Sequence, residues 1–325
     1  MRHTRWLFAL LLLVASLALA ACGDDDDDGG GGSAETSTAE QAAAIESNPD
    51  NASTTITVGS KNFNENKILG EIYAQAFEAA GYTVKKQLNL GDEKTALKAI
   101  EEKEISGYPE YTGTILGSFL EVPSEDTPKD PTKAYQEAKD GLAKQGVTVF
   151  PPTPFENSNE VGLTKEKADE LGVEKISDLS DKAGDLTLYG TPECRQRQDC
   201  LAGLQDVYGL KFKKFTPVSV DLRHEVLDKG QADLSIVFTT DPQIERNGYV
   251  LLEDDKGMFP PNNSVFIMNS EVVEQAGPDL PKVIEQVQEG LESPVIQELN
   301  ARADLDKKTP EAVAGEYLKE SGLVQ

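Results

Sequence analysis

The strongest constraint on the fold is an alternation of period-2 and period-3.6 apolar patterns that begins near residue 54 and recurs to the end of the chain. Ile56-Thr57-Val58-Gly59-Ser60 reads as a short buried strand that ends in small residues. Ile68, Leu69, Ile72, Ala76, Phe77 and Ala80 then repeat at helical spacing, and Gly81 follows as a helix stop. Residues 82–90 carry a second strand pattern and 93–102 a short helix, with Leu97 and Ile100 inward. Strand–helix–strand order of this kind argues βαβ units and a largely parallel α/β sheet.

The alternation continues with a helix over 132–144 and the strand Val147-Thr148-Val149-Phe150, which meets Pro151-Pro152. Proline ends a ladder, so this point predicts a crossing into a second lobe. That lobe holds helices over 165–171, 201–208 and 222–229, a strand over 186–188 and an apolar strand over 232–238. The apolar strand ends in Thr239-Thr240-Asp241-Pro242, which predicts the return crossing. Residues 249–252 read as a further strand. The tail is helical over 282–291 and 295–303, and a last helix starts with Thr309 as N-cap and Pro310 at its first position. The expected organisation is 54–152 for the first part of lobe 1, 153–239 for lobe 2 and 240–325 for the return to lobe 1. Ligands of α/β sheets bind beyond the carboxyl ends of strands. Those ends are Ser60-Lys61-Asn62, 108–112, 153–159 and 239–241, and all are polar or aromatic.

The segment ahead of the alternation has a different character. Arg2 and Arg5 precede an apolar stretch, Trp6 to Leu19, which leads into Leu19-Ala20-Ala21-Cys22. This is the layout of a signal peptide over 1–21 with a lipobox, and it predicts lipidation of Cys22. The apolar stretch is short for a membrane span of about 20 residues. Residues 22–53 follow as a tether of five aspartates, glycines and small polar residues that has little to bury. About 30 such residues reach roughly 30 Å. The expected location is extracytoplasmic, lipid-anchored to the outer face of the membrane, with the lipid as the sole membrane contact.

The chain has 325 residues and a formal charge of −26. Loss of Arg2 and Arg5 with residues 1–21 takes it from −26 to −28. Such a surface is repelled by nucleic acid and excludes it as a partner. Cys194 and Cys200 stand apart from other thiols, and in an oxidising compartment they read as a disulfide. A zinc site would need further Cys or His ligands, and His224 is the one histidine left after residue 21. No metal or cofactor is expected. An enzyme reading finds no G-x-S-x-G, H-E-x-x-H, P-loop or G-x-G-x-x-G motif to support it. An adhesion or scaffold reading finds no repeats.

Several stretches, in order along the chain, resemble the extracytoplasmic binding proteins of glycine betaine, choline and related osmoprotectant ABC importers, the OpuAC-type, ProX-like family. They are Gly59-Ser60-Lys61-Asn62-Phe63-Asn64-Glu65, Tyr108-Pro109-Glu110-Tyr111-Thr112-Gly113-Thr114, Phe155-Glu156-Asn157-Ser158, Arg197 ahead of a leucine-rich helix, Phe238-Thr239-Thr240-Asp241, and Leu252-Glu253-Asp254-Asp255-Lys256 with Phe259-Pro260-Pro261. The resemblance implies an α/β, type II periplasmic-binding-protein fold with two lobes and two hinge crossings. It also implies a monomeric receptor that closes on a small solute and presents it to a permease driven by ATPase subunits. A trimethylammonium group donates no hydrogen bond and is held by aromatic faces. A carboxylate needs backbone N–H groups or charged donors.

The residues so implied at the ligand are Lys61, Asn62, Asn66, Tyr111, Thr112, Asn157, Asn159, Arg197, Phe238, Thr239, Asp241 and Asn262. Relatives often carry tyrosine where this chain has Asn159, Phe238 and Asn262, and glutamine where it has Asn66. The expected cage therefore keeps Tyr111 and Phe238 and gains amides, which leaves open an alternative solute that is polar and amino-acid-like. Several of these residues also have structural readings. Asparagines favour turns, Lys61 and Asn62 could cap the following helix, and Arg197 could pair with acids.

Overall fold

A computed structural model describes residues 43–123 and 126–325. The lipobox, Cys22 and most of the expected tether lie outside the described residues. Among the described residues, ten strands form two sheets: β1 Thr55–Gly59, β2 Thr83–Gln87, β3 Gly107–Tyr111, β4 Val147–Glu156, β5 Asn159–Thr164, β6 Thr187–Gly190, β7 Lys214–Pro217, β8 Leu234–Phe238, β9 Tyr249–Leu251 and β10 Asn263–Asn269. The first sheet has the order β2-β1-β3-β10-β4 and the second β7-β6-β8-β5-β9. The two share one plan. Three strands run parallel, the fourth in spatial order runs against them, and the fifth pairs antiparallel with the fourth. The expected two-lobe α/β fold is present, with mixed sheets in place of largely parallel ones.

The first lobe is layered. The helix Asn64–Ala79 buries Ile68, Leu69, Ile72, Tyr73 and Phe77 on one face of the sheet, where they meet Phe266, Ile284, Ile296, Val313 and Leu318. These partners include the tail helices Asp279–Glu289, Ser293–Asp304 and Pro310–Glu320. Ile100, Ile115, Leu142, Val149, Val265 and Ile267 fill the opposite face. The Thr309 hydroxyl accepts from the Ala312 N–H at 3.3 Å, the N-cap read from sequence. The second lobe has its own core around Leu163, Ile176, Leu188, Leu204 and Leu234.

Two expected boundaries move. Pro151-Pro152 does not end its strand: β4 runs through both prolines to Glu156. β4 is an edge strand, and its pairing with β10 shifts register on either side of the Pro152–Val265 pair. Edge position and a bulge are the places where a sheet tolerates proline. The return crossing is not at 239–240 either, because β9 pairs with β5 in the second sheet. After β8 the chain folds back, with Phe238 N–H donating to Asp241 Oδ2 at 2.8 Å and Asp241 N–H to the Phe238 carbonyl at 2.9 Å. The chain re-enters the first lobe at Asn262, next to the outgoing segment, where Asn157 N–H donates to the Asn262 carbonyl at 3.0 Å.

Candidate functional site

The carboxyl ends of β1, β3, β6 and β8 open onto one cleft between the lobes. Lys61, Tyr111 and Thr114 line it from the first lobe, and Asn159, Arg197 and Phe238 from the second. Asn62, Asn157 and Asn262 border it as well. Asn159 and Phe238 lie side by side because they are paired in register across β5 and β8. Phe63 joins the aromatic wall, with ring centroids 6.3 Å from Tyr111 and 5.6 Å from Phe238.

Each basic group at the cleft is set by acids. Lys61 is buried and pairs with the fully buried Glu110. Burial pushes the Glu110 carboxyl up, and Lys61 works against that. The Lys61 ammonium also lies 4.6 Å from the Tyr111 ring centroid and 5.7 Å from that of Phe63. Arg197 sits in the loop closed by the Cys194–Cys200 disulfide, whose Cα atoms are 5.2 Å apart. Its Nε donates to Asp199 Oδ1 at 2.7 Å, and its Nη1 lies 3.4 Å from Glu93 of the first lobe. Its Nη2 reaches Thr114 Oγ1 at 3.4 Å, a second contact across the cleft. Arg223 lies with its guanidinium carbon 4.3 Å from the Phe238 ring centroid and pairs with Asp241. Burial works to raise the Asp241 carboxyl, but Arg223 and His224 prevail and bring it down to about 2. His224 Nε2 is 3.0 Å from Asp241 Oδ2, within ion-pair reach but out of hydrogen-bond alignment.

Other residues expected at the ligand hydrogen-bond to the framework, Asn157, Asn159 and Asn262 while lining the cleft and Asn66, Thr112, Thr239 and Asp241 outside its lining. Asn66 Oδ1 accepts from Lys61 N–H at 2.6 Å and its Nδ2 donates to the Pro109 carbonyl at 2.7 Å, away from the cleft lining. Thr112 Oγ1 donates to the Pro261 carbonyl at 3.1 Å, and Thr239 Oγ1 accepts from Ser158 N–H at 3.1 Å. Asp241 stands behind Phe238, and neither it nor Thr112 nor Thr239 lines the cleft. Asn157 donates to Glu65 at 2.6 Å, and Asn159 donates to Asp199 at 3.0 Å. Asn262 Oδ1 accepts from the N–H groups of Gly113 at 2.9 Å and Thr114 at 3.3 Å, while its Nδ2 donates to the Asn157 carbonyl. Gly113 is required here, since a Cβ on it would stand 2.8 Å from Asn262 Oδ1. Neither Lys61 nor Asn62 caps the helix Asn64–Ala79, whose N-cap is Phe63.

Sequence reading missed Phe63, Glu93, Thr114 and Arg223. Phe63 and Thr114 stand inside the motifs quoted above, but Arg223 and Glu93 carry no local signal. Among the described residues, no cluster of three or more His, Cys, Asp or Glu side chains could hold a metal ion. No described helix is long and apolar enough to cross a membrane.

Residues 54–320 match the family described as the substrate binding domain of ABC-type glycine betaine transport systems. The chain belongs to this family. It is similar to a glycine-betaine-binding protein of Pseudomonas aeruginosa, 30% identical over 281 residues that cover 83% of this chain and 89% of that protein. It is also 26% identical over 282 residues to an ergothioneine transport permease/ergothioneine binding protein of Helicobacter pylori, covering 86% of this chain and 49% of that longer protein. A solved structure titled as a glycine betaine/carnitine/choline ABC transporter aligns with a TM-score of 0.66 at 26% identity, over 82% of this chain and 98% of that one. The protein is thus a substrate-binding protein of an ABC importer. It takes up a small solute outside the cytoplasm and works with a permease.

Proposed function

We propose that the cleft binds a zwitterionic quaternary amine, with glycine betaine as the reference solute, and delivers it to the permease as the lobes open. One observation carries this reading: Lys61 and Arg197, one from each lobe, share a cleft with the aromatic rings of Tyr111, Phe63 and Phe238. The rings offer faces to a trimethylammonium group. The two cations supply charged donors for a carboxylate. Choline lacks the carboxylate and loses that half of the recognition. The alternative of an amino-acid-like solute rests on Asn157, Asn159 and Asn262, whose amides donate to protein acceptors just as Lys61 and Arg197 pair with acids, so the aromatic rings are what favour the quaternary amine.

Isothermal titration of the purified protein with glycine betaine, choline and proline tests the assignment. Glycine betaine is expected to bind tightest, with choline weaker by on the order of 10-fold or more. Choline binding more tightly than glycine betaine, or proline alone binding, would refute it.

The chain further fits a monomeric receptor held at the outer membrane face by a lipid on Cys22, with no other membrane contact. The support is the Leu19-Ala20-Ala21-Cys22 sequence after an apolar stretch. Cys22→Ser is expected to release the protein from the membrane fraction. Retention there would count against the anchor.

A further inference from the structure

Glu65 is the second residue of the helix Asn64–Ala79 and is only 4% exposed. Its Oε1 accepts from the Tyr111 hydroxyl at 2.7 Å and from Asn157 Nδ2 at 2.6 Å. Its Oε2 accepts from the Thr240 hydroxyl at 2.6 Å and from Asn300 Nδ2 at 2.8 Å. These four donors match the acceptor capacity of one carboxylate. They come from four places. Tyr111 is a wall of the solute cleft, Asn157 lies on the outgoing crossing, Thr240 belongs to the second lobe, and Asn300 sits on the helix Ser293–Asp304.

Thr240 does not line the solute cleft. It lies with Glu65 in a second, polar chamber, and Phe63 and Phe238 border both spaces. Tyr111, by contrast, has its hydroxyl held by the same carboxylate that reaches Thr240. A bond between the lobes that exists only when they meet biases the open–closed equilibrium toward closure. A bond that fixes a wall of the cleft biases solute binding. Glu65 makes both.

We propose that Glu65 is a positioning residue that couples the aromatic wall to lobe closure, fixing Tyr111 through Oε1 while taking the Thr240 hydroxyl of the second lobe through Oε2. This rests on the reading of the cleft as the solute site. A merely structural Glu65 would satisfy buried donors without any link between Thr240 and solute retention.

Substitution of Glu65 itself would orphan several buried donors, so the test uses its partners. Thr240→Val removes only the second-lobe hydroxyl, and Tyr111→Phe removes only the hydroxyl on Glu65 and keeps the ring. Dissociation of radiolabelled glycine betaine is followed for wild type, both single variants and the double variant. Hydrogen exchange of the ligand-free full-length protein is followed in parallel over 107–114 and 191–200. Thr240→Val is expected to speed dissociation about 10-fold with little change in association, and to speed exchange in both cleft-wall segments. The double variant is expected to depart from the sum of the singles. Wild-type dissociation and exchange in Thr240→Val would overturn the proposal, as would strict additivity. If wild type does not bind glycine betaine, the solute assignment fails. Exchange in ligand-free Thr240→Val still decides whether the latch exists: faster exchange in both segments supports it, and wild-type exchange overturns it.

Discussion

The Lys61 ammonium lies 4.6 Å from the Tyr111 ring centroid while paired with Glu110, so the first lobe keeps a cation of its own against the aromatic wall of the cleft. The pair is buried on both sides, at 7% and 0% side-chain exposure. Removing one member of a buried pair strands the other charge. Lys61→Met is expected to destabilise the protein by about 3 kcal/mol, and adding Glu110→Gln should recover most of it. Calorimetric unfolding of the two variants checks this. A double variant no more stable than Lys61→Met would show that the cost lies elsewhere.

On the proposed reading, Arg197 is the group that separates zwitterions from cations. It brings a guanidinium to the cleft and also neutralises Asp199 and Glu93. Arg197→Ala should weaken glycine betaine by on the order of 100-fold, the scale of a lost charge-assisted contact. Choline should be unaffected or bind better, because two carboxylates are left without their cation. Titration of both solutes against the variant reads the sign directly, and equal losses would contradict the role.

Asn262, which the family resemblance implied at the ligand, has a side chain that joins the two crossings and holds the Gly113–Thr114 backbone. Asn262→Ala leaves buried N–H groups unpaired and should cost about 1–3 kcal/mol. The preference for glycine betaine over choline should persist. A stable variant with reversed preference would return Asn262 to the ligand.

Glu160 predicts a pH dependence of stability. Burial, then Asp254 and Glu156, push its carboxyl up to about 8. An unfolded glutamate titrates near 4.3, about its ordinary value. The folded state therefore keeps a proton that the unfolded chain releases. The stabilisation from this proton is complete below about pH 4 and is lost as pH rises through about 8. Between these limits wild type should lose on the order of 1–2 kcal/mol relative to Glu160→Gln, allowing for partial exposure. Denaturant titrations at pH 5 and pH 8.5 check it, and parallel curves would remove Glu160 as the cause.

The alternation of strand and helix was legible because each amphipathic element reports its own buried face. The helix that begins at Lys165 and the cap at Thr309 needed nothing beyond local pattern. β10 was not legible. It is buried on both sides at Val265, Phe266, Ile267 and Met268, so it shows no alternation. The Pro151-Pro152 break misled because whether proline is tolerated depends on edge position, which only the assembled sheet defines. At the cleft, motifs located Lys61, Tyr111 and Arg197. They could not tell a ligand amide from a strut amide, since that depends on partners such as Glu65 and Asp199 far away in sequence.

The adjoining crossings at Asn157 and Asn262 make the second lobe an uninterrupted insert in the first, with its two ends bonded to each other. Asn159, Arg197 and Phe238 all travel on that insert, whereas Lys61 and Tyr111 stay with the host. Transplanting residues 158–261 from a relative would therefore exchange one half of the cleft lining as a cassette whose two junctions lie side by side, with the Arg197–Glu93 and Thr240–Glu65 contacts to be matched across the lobes. If the cleft is the solute site, preference is expected to recombine by halves as well as to be tuned residue by residue.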